Sequence, residues 1–261
     1  MEPNAEFVNP LKRKLANGKK TAGAWAFGGN PISIEILCNA GFDWLIIDME
    51  HGPNDIGSVA EQIRAMKGTG VAPIVRAPWN DFVIIKRILD LGAYGVIIPS
   101  INTAEEAQTA VTACKYPPEG IRGIAASTRA ARFGQNSMGY FTKANQEILV
   151  IVQIETALAV QNAETISQVE GVDGVFIGPM DLATSMGHLA DPSHPQMAAL
   201  ISSVEEKVKK SHKFMGTVSA SWPQAKELYE RGYQFVTLLS DVMGLSKIAN
   251  QAVGEFRKAY C

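Results

Sequence analysis

Four places in the 261-residue chain set titratable side chains just where an apolar run ends. "FDWLII" at 42–47 is followed by Asp48, Glu50 and His51, and "APIVRA" at 72–77 ends around Arg76. "ILVIVQIE" at 148–155 closes on Gln153 and Glu155, and "GVFIG" at 174–178 runs into Pro179, Met180 and Asp181. These types suit particular chemistry. A histidine, whose unperturbed pKa is about 6.5, can take up and return a proton near neutral pH. An arginine supplies a fixed positive charge where negative charge develops. Two carboxylates, Glu155 and Asp181, suit a hard divalent cation such as Mg²⁺ or Mn²⁺ and leave most of its coordination positions free, which is the arrangement of a catalytic site and not of a structural one.

Taken singly, each residue has a plainer role. Asp181 could cap a short helix, and Glu155 could favour a helix start through its dipole. His51 before Gly52 could be a turn residue, and Arg76 a salt-bridge partner filling the end of the fold. Their coincidence argues otherwise. Burying that many charged groups with nothing to hold would cost on the order of several kcal/mol each.

The elements that must carry these groups follow from hydrophobic periodicity. Eight short β-branched runs, 21–27, 43–48, 72–77, 95–100, 148–155, 174–178, 214–219 and 234–240, alternate with amphipathic stretches such as 54–68, 103–114, 194–211 and 222–232. That alternation is the mark of parallel strands joined by crossover helices. Asn54, Thr103 and Ser193 are expected N-caps, and Gly68 and Gly232 are expected helix stops. With no linker or low-complexity tract, the pattern predicts one domain over 1–261, an α/β (β/α)₈ barrel. The Gly-, Pro- and Arg-containing segment 116–145 is expected as a long excursion over the barrel's top, with "GIAAS" as a possible ninth strand.

Strand side chains alternate, so Trp44, Ile46 and Asp48 share one face, as do Leu149, Ile151, Gln153 and Glu155, and Ile74 with Arg76. In a parallel barrel, active sites gather at the carboxyl ends of the strands. The arithmetic therefore sends Asp48 with His51, Arg76, Gln153 with Glu155, and Asp181 to one rim.

Composition narrows the rest. A hydrophobic share of 46%, a charged share of 19% and a formal net charge of -2 give no pull toward nucleic acid or a membrane surface. Cys38, Cys114 and Cys261 are scattered and odd in number, which suits reduced thiols, and the N-terminus has no signal-type apolar core, so a cytoplasmic protein is expected. No strand ends in lysine, which removes the nucleophile of a Schiff-base mechanism. Nucleotide-binding motifs are absent too, since "AFGGNP" has the wrong glycine spacing. His188 and His194 fall in a solvated loop.

Six blocks in order, "GFDWLIIDMEHGP", "VRAPWND", "LDLGAYGVIIPSINTAEEA", "YPPEGIRG", "VQIET" and "GVFIGPMDLATSMG", resemble the HpcH/HpaI family of metal-dependent aldolases over nearly the whole chain. The resemblance implies a pyruvate/phosphoenolpyruvate-type barrel whose last helix packs on a neighbouring subunit, commonly in a hexamer built as a trimer of dimers. It implies reversible cleavage of a 4-hydroxy-2-oxo acid to pyruvate and an aldehyde, with Mg²⁺, Mn²⁺ or Co²⁺ as cofactor. By motif, Glu155 and Asp181 would bind the metal. Gln153, Trp25 and the stretch Gly178, Pro179, Met180 and Asp181 would hold the pyruvyl unit. Arg76 would stabilise the oxyanion and His51 would act as base. Asp48 would orient His51, and Asp90 would reach the histidine of an adjacent subunit. Met180 stands where relatives often carry a smaller residue, and Arg129 and Arg132 could meet a distal carboxylate of the aldehyde portion. Oxaloacetate decarboxylation or synthase-type bond formation on the same site, and a non-catalytic pyruvate sensor, stay open as alternatives.

Overall fold

The computed structural model describes residues 6–261. Eight parallel strands, β1 (Thr21–Ala26), β2 (Trp44–Asp48), β3 (Ala72–Arg76), β4 (Gly95–Ile98), β5 (Leu149–Ile154), β6 (Gly174–Ile177), β7 (Phe214–Val218) and β8 (Phe235–Ser240), pair in sequence order and close β8 onto β1. Every apolar run of the sequence became a strand, trimmed by a residue or two at its ends. "GIAAS" did not: residues 123–127 form no strand.

Alternation sorts the strand side chains into two layers. Trp44, Ile46, Ile74, Ile97, Leu149, Ile151, Phe176, Phe214 and Phe235 fill the barrel interior. The opposite faces, including Leu45, Ile47, Val75, Val96, Val150, Val152 and Val175, pack against helix residues such as Ile34, Val59, Ile63 and Ile85. Trp44 stacks on Phe235 with ring centroids 3.5 Å apart, and its indole N–H donates to Thr21 Oγ at 2.9 Å. That stack needs Gly23, because a Cβ there would lie 2.1 Å from the Trp44 ring.

The barrel floor is closed by the helix Pro10–Ala16, which puts Leu11 and Leu15 into the inner cluster. Buried Asn9 fixes this plug by donating to the carbonyls of Tyr94 and Glu147 at 2.8 and 2.9 Å. An interior sealed below leaves the carboxyl ends of the strands as the open face.

The excursion over 116–145 lies at the floor and not over the top. The helix Ala104–Cys114 returns the chain to the amino ends of the strands, so whatever precedes β5 begins and ends there. Ala130 N–H donates to Asp90 O at 3.0 Å, and the Arg129 guanidinium donates to Leu91 O and Ile63 O at 2.8 and 3.3 Å. Arg129 thus serves two helix carboxyl ends. Neither it nor nearby Arg132 stands at the rim of its own barrel.

Two caps differ from expectation. Asp55, one residue past Asn54, caps Ile56–Ala65 through a reciprocal pair with Ser58, and His194 caps Pro195–Lys210 in place of Ser193. Thr103 caps Ala104–Cys114 as expected. Cys38 and Cys114 are buried free thiols and Cys261 is exposed. Among the described residues, no helix is long and apolar enough to cross a membrane.

Candidate active site

β2 and β3 pair with Asp48 opposite Arg76, which puts a carboxylate and a guanidinium side by side at the end of the ladder. Arg76 Nε donates to Asp48 Oδ1 at 2.9 Å and Nη2 to Oδ2 at 2.6 Å, a planar two-point grip that lysine could not make. Trp25 on β1 adds its indole N–H to Asp48 Oδ2 at 3.1 Å and lays its ring 4.6 Å from the guanidinium carbon. Asp48 Oδ1 also accepts the backbone N–H of Glu50 and of His51, at 3.0 and 3.3 Å. Burial pushes the Asp48 carboxyl up, but the hydrogen bonds and charge of Arg76 outweigh it, so Asp48 lies below its ordinary range.

The expected contact between Asp48 and the His51 ring is corrected here. Asp48 is fully buried and its oxygens are taken by Arg76, Trp25 and two backbone amides, so it shapes the loop that carries His51 and does not touch the imidazole. The carboxylate near the ring is Glu50, whose Oε2 is 3.9 Å from His51 Nε2. His51 itself is 56% exposed, at the mouth of the site.

Glu50 is a residue that the motif reading left without a role. Its Oε2 is buried 2.8 Å from Arg76 Nη1 yet receives no hydrogen bond. Burial raises its carboxyl to about 7; Arg76 offsets this, Glu155 adds to it, His51 offsets it and Asp48 adds to it. A carboxyl raised on folding binds its proton more tightly in the native state. Its stabilisation is full below the unfolded value and is lost as pH rises toward 7. In protein stripped of divalent ions, unfolding free energy should therefore fall between about pH 4.5 and 7, by up to about 1.4 kcal/mol per unit from this group. Glu50→Gln should flatten that interval in urea melts across pH; an unchanged slope would contradict the assignment.

The second half of the site comes from β5 and β6. Gln153 and Glu155 are both buried, and Gln153 Nε2 donates to Glu155 Oε2. Glu155 Oε1 accepts from Ser100 N–H at 2.6 Å and from Ser100 Oγ at 3.2 Å. Gly178 ends β6 against this pair: a Cβ there would sit 2.9 Å from Glu155 Oε2 and 3.3 Å from Gln153 Nε2. Gly178 then caps the helix Pro179–Ser185, with Asp181 in its first turn and Met180 47% exposed beside it.

Asp90 is not brought to this rim. It ends the helix Phe82–Asp90 at the floor, where Arg122 Nη2, itself buried, donates to it at 2.7 Å. Glu50 is visible in the sequence beside Asp48 and His51 but has no role there, and Ser100, whose left-handed φ of 55° no local pattern announces, is absent from the candidate residues of the sequence.

The site fits a divalent cation by its donors. Glu155 and Asp181 carry hard carboxylate oxygens of the kind that such an ion takes. Asp181 is exposed, and two buried oxygens, Glu50 Oε2 and Gln153 Oε1, have no hydrogen-bond donor, as suits acceptors for water held on a cation. Among the described residues, no three His, Cys, Asp or Glu side chains gather at one point.

Comparison with known proteins gives the family. A profile of the HpcH/HpaI aldolase/citrate lyase family matches residues 21–247. The chain is 43% identical over 256 residues to 5-keto-4-deoxy-D-glucarate aldolase of Escherichia fergusonii, covering 98% of this chain and 99% of that protein. The fold is similar to that of an HpcH/HpaI aldolase/citrate lyase family protein from Burkholderia cenocepacia, with a TM-score of 0.92, 38% identity, and 96% and 100% of the two chains covered. It is also similar to the citrate synthase SbnG, with a TM-score of 0.86, 26% identity, and 95% and 98% covered.

Proposed function

This chain belongs to the HpcH/HpaI aldolase/citrate lyase family and is a carbon–carbon lyase, and we propose that it cleaves a 4-hydroxy-2-oxo sugar diacid to pyruvate and a short aldehyde acid. The single observation that carries this reading is the polar rim at the strand ends: Glu155 braced by Gln153 and Ser100, and Arg76 held rigid by Asp48. The substrate class rests on the 5-keto-4-deoxy-D-glucarate aldolase to which the chain is similar along almost its full length.

Retro-aldol cleavage removes a proton from the C4 hydroxyl, turns that carbon into an aldehyde, breaks the C3–C4 bond and moves the electron pair onto the 2-oxo group. A divalent ion held by Glu155 and Asp181, with Mg²⁺, Mn²⁺ and Co²⁺ as candidates, would supply a Lewis acid for that oxygen and stabilise the enolate charge. Arg76 adds a fixed positive charge. Its Nε and Nη2 bind Asp48 and its Nη1 lies 2.8 Å from Glu50 Oε2, so the guanidinium acts as a charge fixed in place by two carboxylates. Gln153, Trp25 and the backbone from Gly178 to Asp181 form the wall for the pyruvyl unit, with Met180 at its exposed edge. His51, at the open mouth, takes the hydroxyl proton and can return it to C3 of the enolate.

We further read the protein as a cytoplasmic homo-oligomer, a hexamer of three dimers. Supporting this is the helix Asp241–Tyr260, which buries none of its own residues and exposes Met243, Leu245, Ile248, Val253, Phe256 and Tyr260. An apolar stripe of that size on a 20-residue helix calls for a partner, such as a second copy exchanging this helix. In such an assembly Asp90, remote from its own rim, would approach the His51 of a neighbour.

The test is pyruvate release from a panel of 4-hydroxy-2-oxo acids, after chelation and reloading with Mg²⁺, Mn²⁺ or Co²⁺. A six-carbon keto-deoxy diacid should be cleaved with kcat/KM at least about tenfold above oxaloacetate decarboxylation, and borohydride with pyruvate should trap nothing. The likeness to a citrate synthase keeps one second reading in view, bond formation between a pyruvate-type enolate and an acceptor. Efficient condensation without measurable cleavage would favour it.

A further inference from the structure

The Glu155 carboxylate is held from a second direction by the loop after β4. Ser100 adopts φ of 55°, a left-handed backbone that residues with a Cβ rarely take. That turn aims both its N–H and its Oγ at Glu155 Oε1, at 2.6 and 3.2 Å. Asn102 holds the turn in place. Its Nδ2 donates to Ser100 O at 2.9 Å, and Thr156 Oγ, from the residue after Glu155, donates to its Oδ1. The backbone of Asn102 is anchored on both sides, its N–H donating to Glu106 Oε2 at 2.6 Å and its carbonyl accepting from Asn162 Nδ2 at 2.8 Å. The loop is thus tied to both helix starts that flank the site.

A carboxylate offers roughly four acceptor positions. Ser100 fills two on Oε1 and Gln153 one on Oε2, so one remains, on Oε2. We infer that Ser100 and Asn102 are positioning residues that restrict Glu155 to a single free acceptor, presetting it for a divalent ion before substrate arrives. The inference rests on the metal role proposed for Glu155. Partners that orient a metal-binding side chain typically contribute 10- to 100-fold to metal affinity or activity; a hydroxyl at 3.2 Å belongs at or below the low end of that range.

The experiment is Mn²⁺ titration of the full-length, metal-stripped protein, followed by electron paramagnetic resonance with no substrate present. Ser100→Ala, which keeps the amide donor, should weaken Mn²⁺ binding about three- to tenfold, and Ser100→Thr should restore it. Asn102→Ala, which frees the turn, should weaken it about tenfold or more. At saturating Mn²⁺, kcat of Ser100→Ala should return to within about threefold of the parent, because the lesion lies in holding the ion. Thermal melts of the stripped proteins provide the structural control, and Ser100→Ala alone decides the matter if Asn102→Ala fails to fold. Mn²⁺ affinities of parent and Ser100→Ala agreeing within twofold would overturn the positioning role. A parent protein that takes up no Mn²⁺ would instead overturn the metal reading beneath it.

Discussion

Glu155→Gln is expected to remove at least about 99.9% of divalent-ion-dependent pyruvate release, a loss of roughly 4 kcal/mol in transition-state stabilisation at about 1.4 kcal/mol per decade. The substitution changes little in shape and much in chemistry. Its amide carries no charge, and its new NH₂ must face either Ser100, which presents an N–H and an O–H, or Gln153, which presents its own amide N–H. Toward Ser100 N–H donor would meet donor, and toward Gln153 the amide of Gln153 must turn to offer its unpartnered Oε1. The measurement is steady-state turnover with saturating Mn²⁺, beside parent protein assayed in chelator. Folding should survive, since no buried cation depends on Glu155 for neutralisation in the stripped protein; Arg76 has Asp48 and Glu50. Activity above about one hundredth of the parent, or a parent fully active in chelator, would defeat the assignment.

Arg76→Met should damage both activity and stability. Loss of the fixed charge at the developing enolate should lower kcat/KM by about 10²- to 10³-fold, the usual effect of removing one such donor. Stability should fall by about 3–5 kcal/mol near pH 8, because Asp48 is left buried with its cation gone. The pH dependence carries the sign. In the parent, Asp48 is held below its ordinary range, so its contribution is present above that range and is lost as pH falls through the depressed folded value. Without Arg76, burial acts on Asp48 unopposed and its carboxyl moves up. Protonation then relieves the penalty, and the gap between variant and parent should narrow as pH falls from 8 toward 5. Urea melts at both pH values test this; a gap that is absent, or that widens toward acid, would mean that Asp48 does not depend on Arg76.

Most of the rim was legible because strand alternation is a strict two-residue period. Once "DWLIID" and "ILVIVQIE" are strands, Asp48 must share a face with Trp44 and Ile46, and Glu155 with Leu149 and Ile151; all four apolar residues do fill the barrel interior. Closure of the sheet then brings these ends together. Contacts beyond the strands were less legible. Asp48 and His51 are three residues apart in sequence, which suggests a side-chain pair, but Arg76 comes from the neighbouring strand in register and takes the carboxylate first. The Gly, Pro, Ser and Arg content of 116–145 suggests an excursion over the barrel's top, yet parallel topology returns the chain to the floor before that segment begins.

By itself, then, the amino-acid sequence determined the order of strands and helices, which side chains face inward and which chemistry those types allow, since these follow from local periodicity and the chemistry of single side chains. Only the tertiary structure decided who touches whom: that Arg76 grips Asp48, that Glu50 keeps a buried oxygen without a donor, and that a left-handed Ser100 braces Glu155 across 55 residues of chain. Those contacts depend on barrel register and loop conformation, which are set by packing the whole interior at once and leave no trace in any short window of residues.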